Sequence, residues 1–175
     1  LWFPWIYLTS NLFLNTWSLA GPLGAVGAGI NAWYVSTLIL LVLAPLGLGA
    51  CYYFIPKITG QPIASAPLAV LGFWSLAVLG GWTGCQKYMG GPLPAWMPAV
   101  GGAAALLLVI PAVIVALNHH LTTAGKHSMI QTSPTLRFTF VGSFSYVIMS
   151  VVAALLGTFW FGSTVQFTYA EYGFH

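Results

Sequence analysis

An all-α, polytopic transmembrane helix bundle is the fold class this sequence predicts, and three observations predict it. From Asn31 to Ile55 there are 25 consecutive positions without a charge. At about 1.5 Å per residue that run crosses a hydrocarbon core of about 30 Å. Of the 175 residues, 59% are hydrophobic and only 3% charged, where a soluble domain carries roughly 25% charged residues. No apolar–polar alternation is sustained, which argues against a barrel. The expectation is a single transmembrane domain over 1–175, with about four full spans and partial helices at both ends. The lipid bilayer is its first partner. Nucleic acid is excluded, because the net charge of +3 is small and scattered. Cys51 and Cys85 are too few and too far apart for a disulfide framework or a paired-cysteine site.

Taken in order, Leu1–Leu14 reads as the end of an apolar helix, in which Pro4 fits a kink or a late start. Asn15–Gly29 is small, polar and glycine-rich, and reads as a loop. The first full span covers about Asn31–Ile55, with a kink expected at Pro45 and a stop at Pro56-Lys57. Thr59-Gly60 are breakers in a short turn. The second span covers about Ala64–Gly84. Gln86–Pro94 reads as a loop. The third span runs from Pro94 to about Leu121; Pro94 and Pro98 suit its first turns, and Pro111 should bend it. Thr122–Pro134 is the most polar loop. Ser133-Pro134 is a helix start, because serine can cap and proline is tolerated in the first turn. The fourth span follows, to about Gly162. The start on LWFPWIY and the end on YGFH read as part of a longer polypeptide.

If the spans alternate, Lys57, Lys126 and Arg137 share one side, and Lys87 and Glu171 the other. Three basic residues against one assign the first side to the cytoplasm. Trp82, Tyr88, Trp96, Trp160 and Tyr169 then gather on the outer side as an interfacial belt.

Several phrases are specific: LWFPWIY; NAWY followed by LAPLGLGACYYFIPKITGQPI; GFWSLA with GGWTG; GGPLPAW; LNHH; and SPTLRF. In this order and spacing the chain resembles the catalytic subunit of cbb3-type cytochrome c oxidases, in the haem-copper oxidase superfamily. The resemblance covers essentially the whole chain and corresponds to roughly the middle of the family protein. It implies part of a haem-copper-oxidase-like fold in a bacterial inner membrane. The partners it implies are other membrane subunits of an electron-transfer complex, with c-type cytochrome subunits as candidates.

The resemblance also implies a chemistry. In the family, three histidines hold a copper ion facing a high-spin haem, a tyrosine is crosslinked to one of them, and later histidines ligate the haems. Imidazole suits copper, and axial histidine places and tunes a haem. Carried over without gaps, the first copper histidine falls on Ser36, the adjacent pair on Gln86 and Lys87, and the tyrosine on Gly80. The high-spin haem ligand falls on Phe174. The low-spin ligand falls one place past His175, or on His175 after a one-residue shift.

All five positions of the oxygen-reducing site are therefore replaced. A lysine ammonium offers no lone pair to a metal, and Phe174 cannot ligate iron. Copper is not expected; a haem b shared with segments outside this chain is left open through His175. For Ser36 the plain reading is a hydroxyl bonded back onto its own helix. Lys87 is read as reaching water, or as a fixed charge in the emptied copper site, paired with Glu171. His119-His120 with His127 is read as a helix end complementing the dipole, with metal binding as the alternative. Two functions follow. One is a subunit I-like protein without its own oxygen-reducing site, in a structural or assembly role. The other is part of a working cbb3-type or nitric-oxide-reductase-like enzyme whose haems are held elsewhere.

Overall fold

The computed structural model describes residues 3–8 and 24–157. Residues 3–8 form α1. Helix α2 (Gly24–Leu38) continues through a π-helical stretch (Ile39–Leu43) into α3 (Ala44–Thr59). Then come α4 (Ala66–Gly80), a 3-10 turn (Cys85–Tyr88), α5 (Trp96–Leu107), α6 (Val109–Thr122), the short α7 (His127–Thr132) and α8 (Pro134–Leu156). Among the described residues there is no strand. Four stretches are long and apolar enough to cross a membrane: Gly24–Thr59, Ala66–Tyr88, Trp96–Thr122 and Pro134–Leu156. The chain is thus an integral membrane protein built as an all-α bundle, as its composition requires.

The boundaries depart from expectation in instructive places. The first span starts at Gly24, not near Asn31, so the glycine-rich stretch before Asn31 is helical from there on. Glycine weakens a helix in water, but in lipid an unpaired backbone group costs more than glycine's lost freedom. The span also runs past Pro56 to Thr59 and ends on Gly60, whose N–H donates to the Pro56 carbonyl at 2.9 Å. At 36 residues it is about 54 Å long, well beyond one hydrocarbon thickness. Pro45 acts as expected, but by widening rather than by a simple bend. It has no N–H to give to Leu41, and the turn before it opens into the π stretch, where Ala44 N–H reaches back five residues to Ile39.

Ser65 caps α4 by accepting from Leu68 N–H at 3.3 Å, and Ser133 caps α8 in the same way through Leu136. Helix α4 stops at Gly80, four residues earlier than its composition suggested, and Gln86 and Lys87 lie in a 3-10 turn rather than a loop. The third span breaks at Leu108, three residues before Pro111, where the proline withholds a hydrogen bond from the preceding turn. The polar segment before Pro134 contains α7. The fourth span is described to Leu156 and a turn at Gly157; the expected continuation to Gly162, together with Trp160, Tyr169 and Glu171, lies outside the described residues.

The core is built from α4, α5 and α6, with α8 against α5 and α6, and α3 against α6 and α8. Ile55, Leu76, Val115 and Leu136 are its largest apolar members. The first and last spans bury little of themselves. Their outward faces carry residues such as Leu46, Phe138 and Phe144, which suit contact with lipid or further helices.

Candidate functional site

The contacts sort the charges by end. The α3–α4 turn meets the end of α6, where Ala64 N–H donates to Thr122 Oγ1 at 3.1 Å. Lys57 and Lys126 therefore share one end, and Arg137 joins them by donating to the carbonyls of Ile130 and Gln131. Lys87 sits at the other end with Trp33, Trp82 and Trp96. The bundle therefore has a basic end and a tryptophan end.

At the tryptophan end the structure gathers most of the positions that the resemblance singled out. Trp33 Nε1 donates to the Gly81 carbonyl at 2.9 Å, tying α2 to the end of α4. One turn on, the π stretch meets α4: a Cβ built on Gly80 would stand 3.2 Å from Leu40 Cβ and 3.2 Å from Leu41 Cδ2. Ser36 lies on α2 between these two contacts and is half-buried. The back-bond expected of it is made by its neighbour, as Thr37 Oγ1 donates to the Trp33 carbonyl.

Gly84 has φ +116° and lies against the α2 backbone, where a Cβ would be 2.6 Å from the Ala32 carbonyl oxygen. Gln86 turns its amide back on its own loop, so that Oε1 accepts from Gly84 N–H at 2.5 Å. The same oxygen and the Gln86 backbone pack on α5 at Gly101, where a Cβ would lie 2.7 Å from Oε1 and 2.9 Å from Gln86 N. Lys87 is half-buried in the same turn, bonded through its backbone to the Gly84 carbonyl. Beside this cluster an open apolar cavity of about 310 Å³ is lined by Trp33, Gly81, Trp82, Cys85, Trp96, Met97 and Val100. Ser36, Gly80, Gln86 and Lys87 are thus brought to one end of the bundle; Phe174 and His175 lie outside the described residues.

At the basic end a buried polar node appears that sequence reasoning missed. Asn118 is fully buried. Its Nδ2 donates to the Ser65 carbonyl at 2.9 Å and to Tyr52 Oη at 3.3 Å, and its Oδ1 accepts from Ser65 N–H at 3.1 Å. His119 is also buried, its Nδ1 2.8 Å from Ser143 Oγ and its ring edge-on to Tyr52 at 4.6 Å. Its Nε2 is buried and, among the described residues, has no hydrogen-bond partner. The node joins α3, α4, α6 and α8.

His119 and His120 therefore do not act together. His120 is exposed, with its ring 5.8 Å from that of His127. Among the described residues no three of His, Cys, Asp or Glu converge as a metal cluster. The available signal was the spacing of Asn118 and Thr122, one turn apart beside His119 at the end of the third span, since polar groups near membrane depth are seldom idle.

The family model for cytochrome c and quinol oxidase polypeptide I matches residues 1–174. The chain belongs to this family. Among oxidase subunits of the family, it is 30% identical over 118 residues to the cbb3-type cytochrome c oxidase subunit CcoN1 of Stutzerimonas stutzeri, covering 67% of this chain and 25% of that protein. It is 28% identical to a cytochrome c oxidase subunit 1 homolog of Agrobacterium tumefaciens, over 75% of this chain and 25% of the relative. It is 29% identical to cytochrome c oxidase subunit 1 of Rhodobacter capsulatus, over 78% and 26%. The chain thus spans about a quarter of the length of the curated relatives it matches.

Membership of an oxidase polypeptide I family raises the question of copper, and the residues gathered at the tryptophan end do not suit it. Ser36 supplies a hydroxyl, Gln86 an amide already bonded to Gly84, Lys87 a donor-only ammonium and Gly80 no side chain. None is the imidazole or thiolate that holds copper well.

Proposed function

We propose that this chain is a subunit I-like component of a respiratory or other electron-transfer complex in a bacterial inner membrane, with a structural or assembly role and without an oxygen-reducing site of its own. The observation that supports this is the donor set at the tryptophan end: a frame that resembles the cbb3-type oxidase subunit, with Ser36, Gly80, Gln86 and Lys87 at the metal-site positions. Phe174 at the high-spin haem position agrees with it, because a phenyl ring has no donor for iron. Partners are other membrane subunits of the complex, with c-type cytochrome subunits the first candidates. The basic end faces the cytoplasm, as the three cations Lys57, Lys126 and Arg137 favour.

The test is metal analysis with a reduced-plus-CO difference spectrum on the purified chain. Neither copper nor a CO-binding haem is expected. Stoichiometric copper, or a haem that binds CO, would sink the reading. A second reading keeps a low-spin haem b, held by His175 with residues outside this chain, and rests on His175 lying one position from the family ligand. Loss of a haemochrome band in His175→Ala would support it.

A further inference from the structure

We infer that His120 and His127 form a two-imidazole site for a zinc-class divalent ion at the basic end, at the opposite end of the bundle from the family's copper positions. The inference does not depend on the function proposed above.

The turn between α6 and α7 builds the pair. Thr123 Oγ1 closes the end of α6 by donating to the His120 carbonyl at 2.9 Å. The N–H groups of Ala124 and Lys126 then donate to the carbonyls of Leu121 and Thr123, at 3.2 Å and 3.1 Å. Gly125, at φ +76°, takes the left-handed conformation that this reversal needs. The chain is thereby returned so that His127, the first residue of α7, stands beside His120 in the last turn of α6. On its other side the His120 ring meets Phe140 of α8, with ring centres 6.1 Å apart.

The two imidazoles have their centres 5.8 Å apart and their planes 34° from parallel. Imidazoles that share one ion hold it through nitrogens about 2.0–2.1 Å away, which sets their ring centres about 5–6.5 Å apart. Both residues are exposed, so ring rotation can turn the nitrogens onto an ion without moving the backbone. Among the described residues neither imidazole has a hydrogen-bond partner, and none is a carboxylate, since Glu171 is the chain's one acid. Both rings are therefore open to a ligand. Neutral imidazole suits zinc, nickel and copper, and availability selects among them.

Two protein ligands leave the remaining positions to water. Lys126 is next to His127 in the chain, and Arg137 is bonded to the carbonyls of α7 at Ile130 and Gln131. These cations oppose a third positive charge, which makes the ion exchangeable rather than permanent. When bound it ties α6 to α7 and stiffens the segment that leads to the Ser133 cap of α8.

Zinc calorimetry on the full chain in detergent, untagged and stripped with chelator, tests this. One Zn2+ per chain is expected. His120→Gln and His127→Gln should each abolish the uptake with unchanged helix content by circular dichroism, because both side chains are exposed. Lys126→Gln should bind zinc more tightly, since a like charge is gone. No uptake by the unsubstituted chain, uptake that survives both histidine substitutions, or uptake lost in His175→Gln instead would overturn the inference. Copper carried by this pair would leave with either histidine, whereas copper at the tryptophan end would not, so the failure of this site and that of the proposed function are distinguishable.

Discussion

The two ends of this bundle are held by different physics. At the tryptophan end, glycines let segments approach closely: Gly84 lies on the Ala32 backbone, Gly101 against Gln86, and Gly80 against the leucine side chains of the π stretch. At the basic end, helices are joined by side chains whose polar atoms find one another in the interior: Asn118 with Ser65 and Tyr52, and His119 with Ser143. Lipid offers little hydrophobic drive between helices, so close approach of small residues and internal hydrogen bonds are the two means a membrane bundle has. This chain leans on the first at the tryptophan end, where the Trp33–Gly81 bond supplements it, and on the second at the basic end. Close approach tolerates no added atom, whereas a hydrogen-bonded node tolerates shape changes better than the loss of a partner.

Substitutions at the two ends test that contrast. Gly84→Ala should have the largest effect, costing about 3–5 kcal/mol from backbone strain plus overpacking against a carbonyl that cannot move aside. Thermal unfolding in detergent, followed by tryptophan fluorescence, would read it. Gly101→Ala comes next at about 1–3 kcal/mol, since the obstructing atoms include the Gln86 backbone. Asn118→Ala should cost about 1–2 kcal/mol, because it removes the acceptor of Ser65 N–H and one of the two donors to the Ser65 carbonyl, though hydrogen bonds within membranes are worth less than their burial suggests. If Asn118→Ala proved costlier than Gly84→Ala, the contrast would be reversed. Smallest is Ser36→Ala, expected within about 0.5 kcal/mol of the parent. A larger loss would mean that this hydroxyl does something its surroundings do not reveal.

Sequence reasoning reached the bundle and its four spans because charge-free runs of this length have few alternatives. It reached the caps at Ser65 and Ser133 less evenly: Ser133-Pro134 is legible as a start, whereas Ser65 stands in a run of small residues that resembles more helix. The glycine-rich stretch before Asn31 was misread because glycine's cost is judged against water, and lipid changes the reference. Pro45 was legible as a disturbance but not as a π stretch, since proline says only that a bond is missing, not how the turn absorbs it. The positions that family likeness singled out, Ser36, Gly80, Gln86 and Lys87, lie at one end of the bundle. Neither Gly84 nor Gly101 carried a signal, because close approach is a property of two segments distant in sequence. The pairing of Asn118 with Ser65 and Tyr52 was invisible for the same reason.

The π stretch has a consequence for how the first span is phased. A π turn carries one residue more than the α-turn it replaces, and one residue of α-helix is a rotation of about 100°. The faces of α2 and α3 are therefore offset from those of an uninterrupted helix. Trp33 and Leu40 look toward the end of α4 at Gly81 and Gly80, while Tyr52, on the far side of the insertion, looks toward Asn118 and His119. Five residues, Ile39–Leu43, act as the angular coupling of the span: they decide which side of one long helix serves each end.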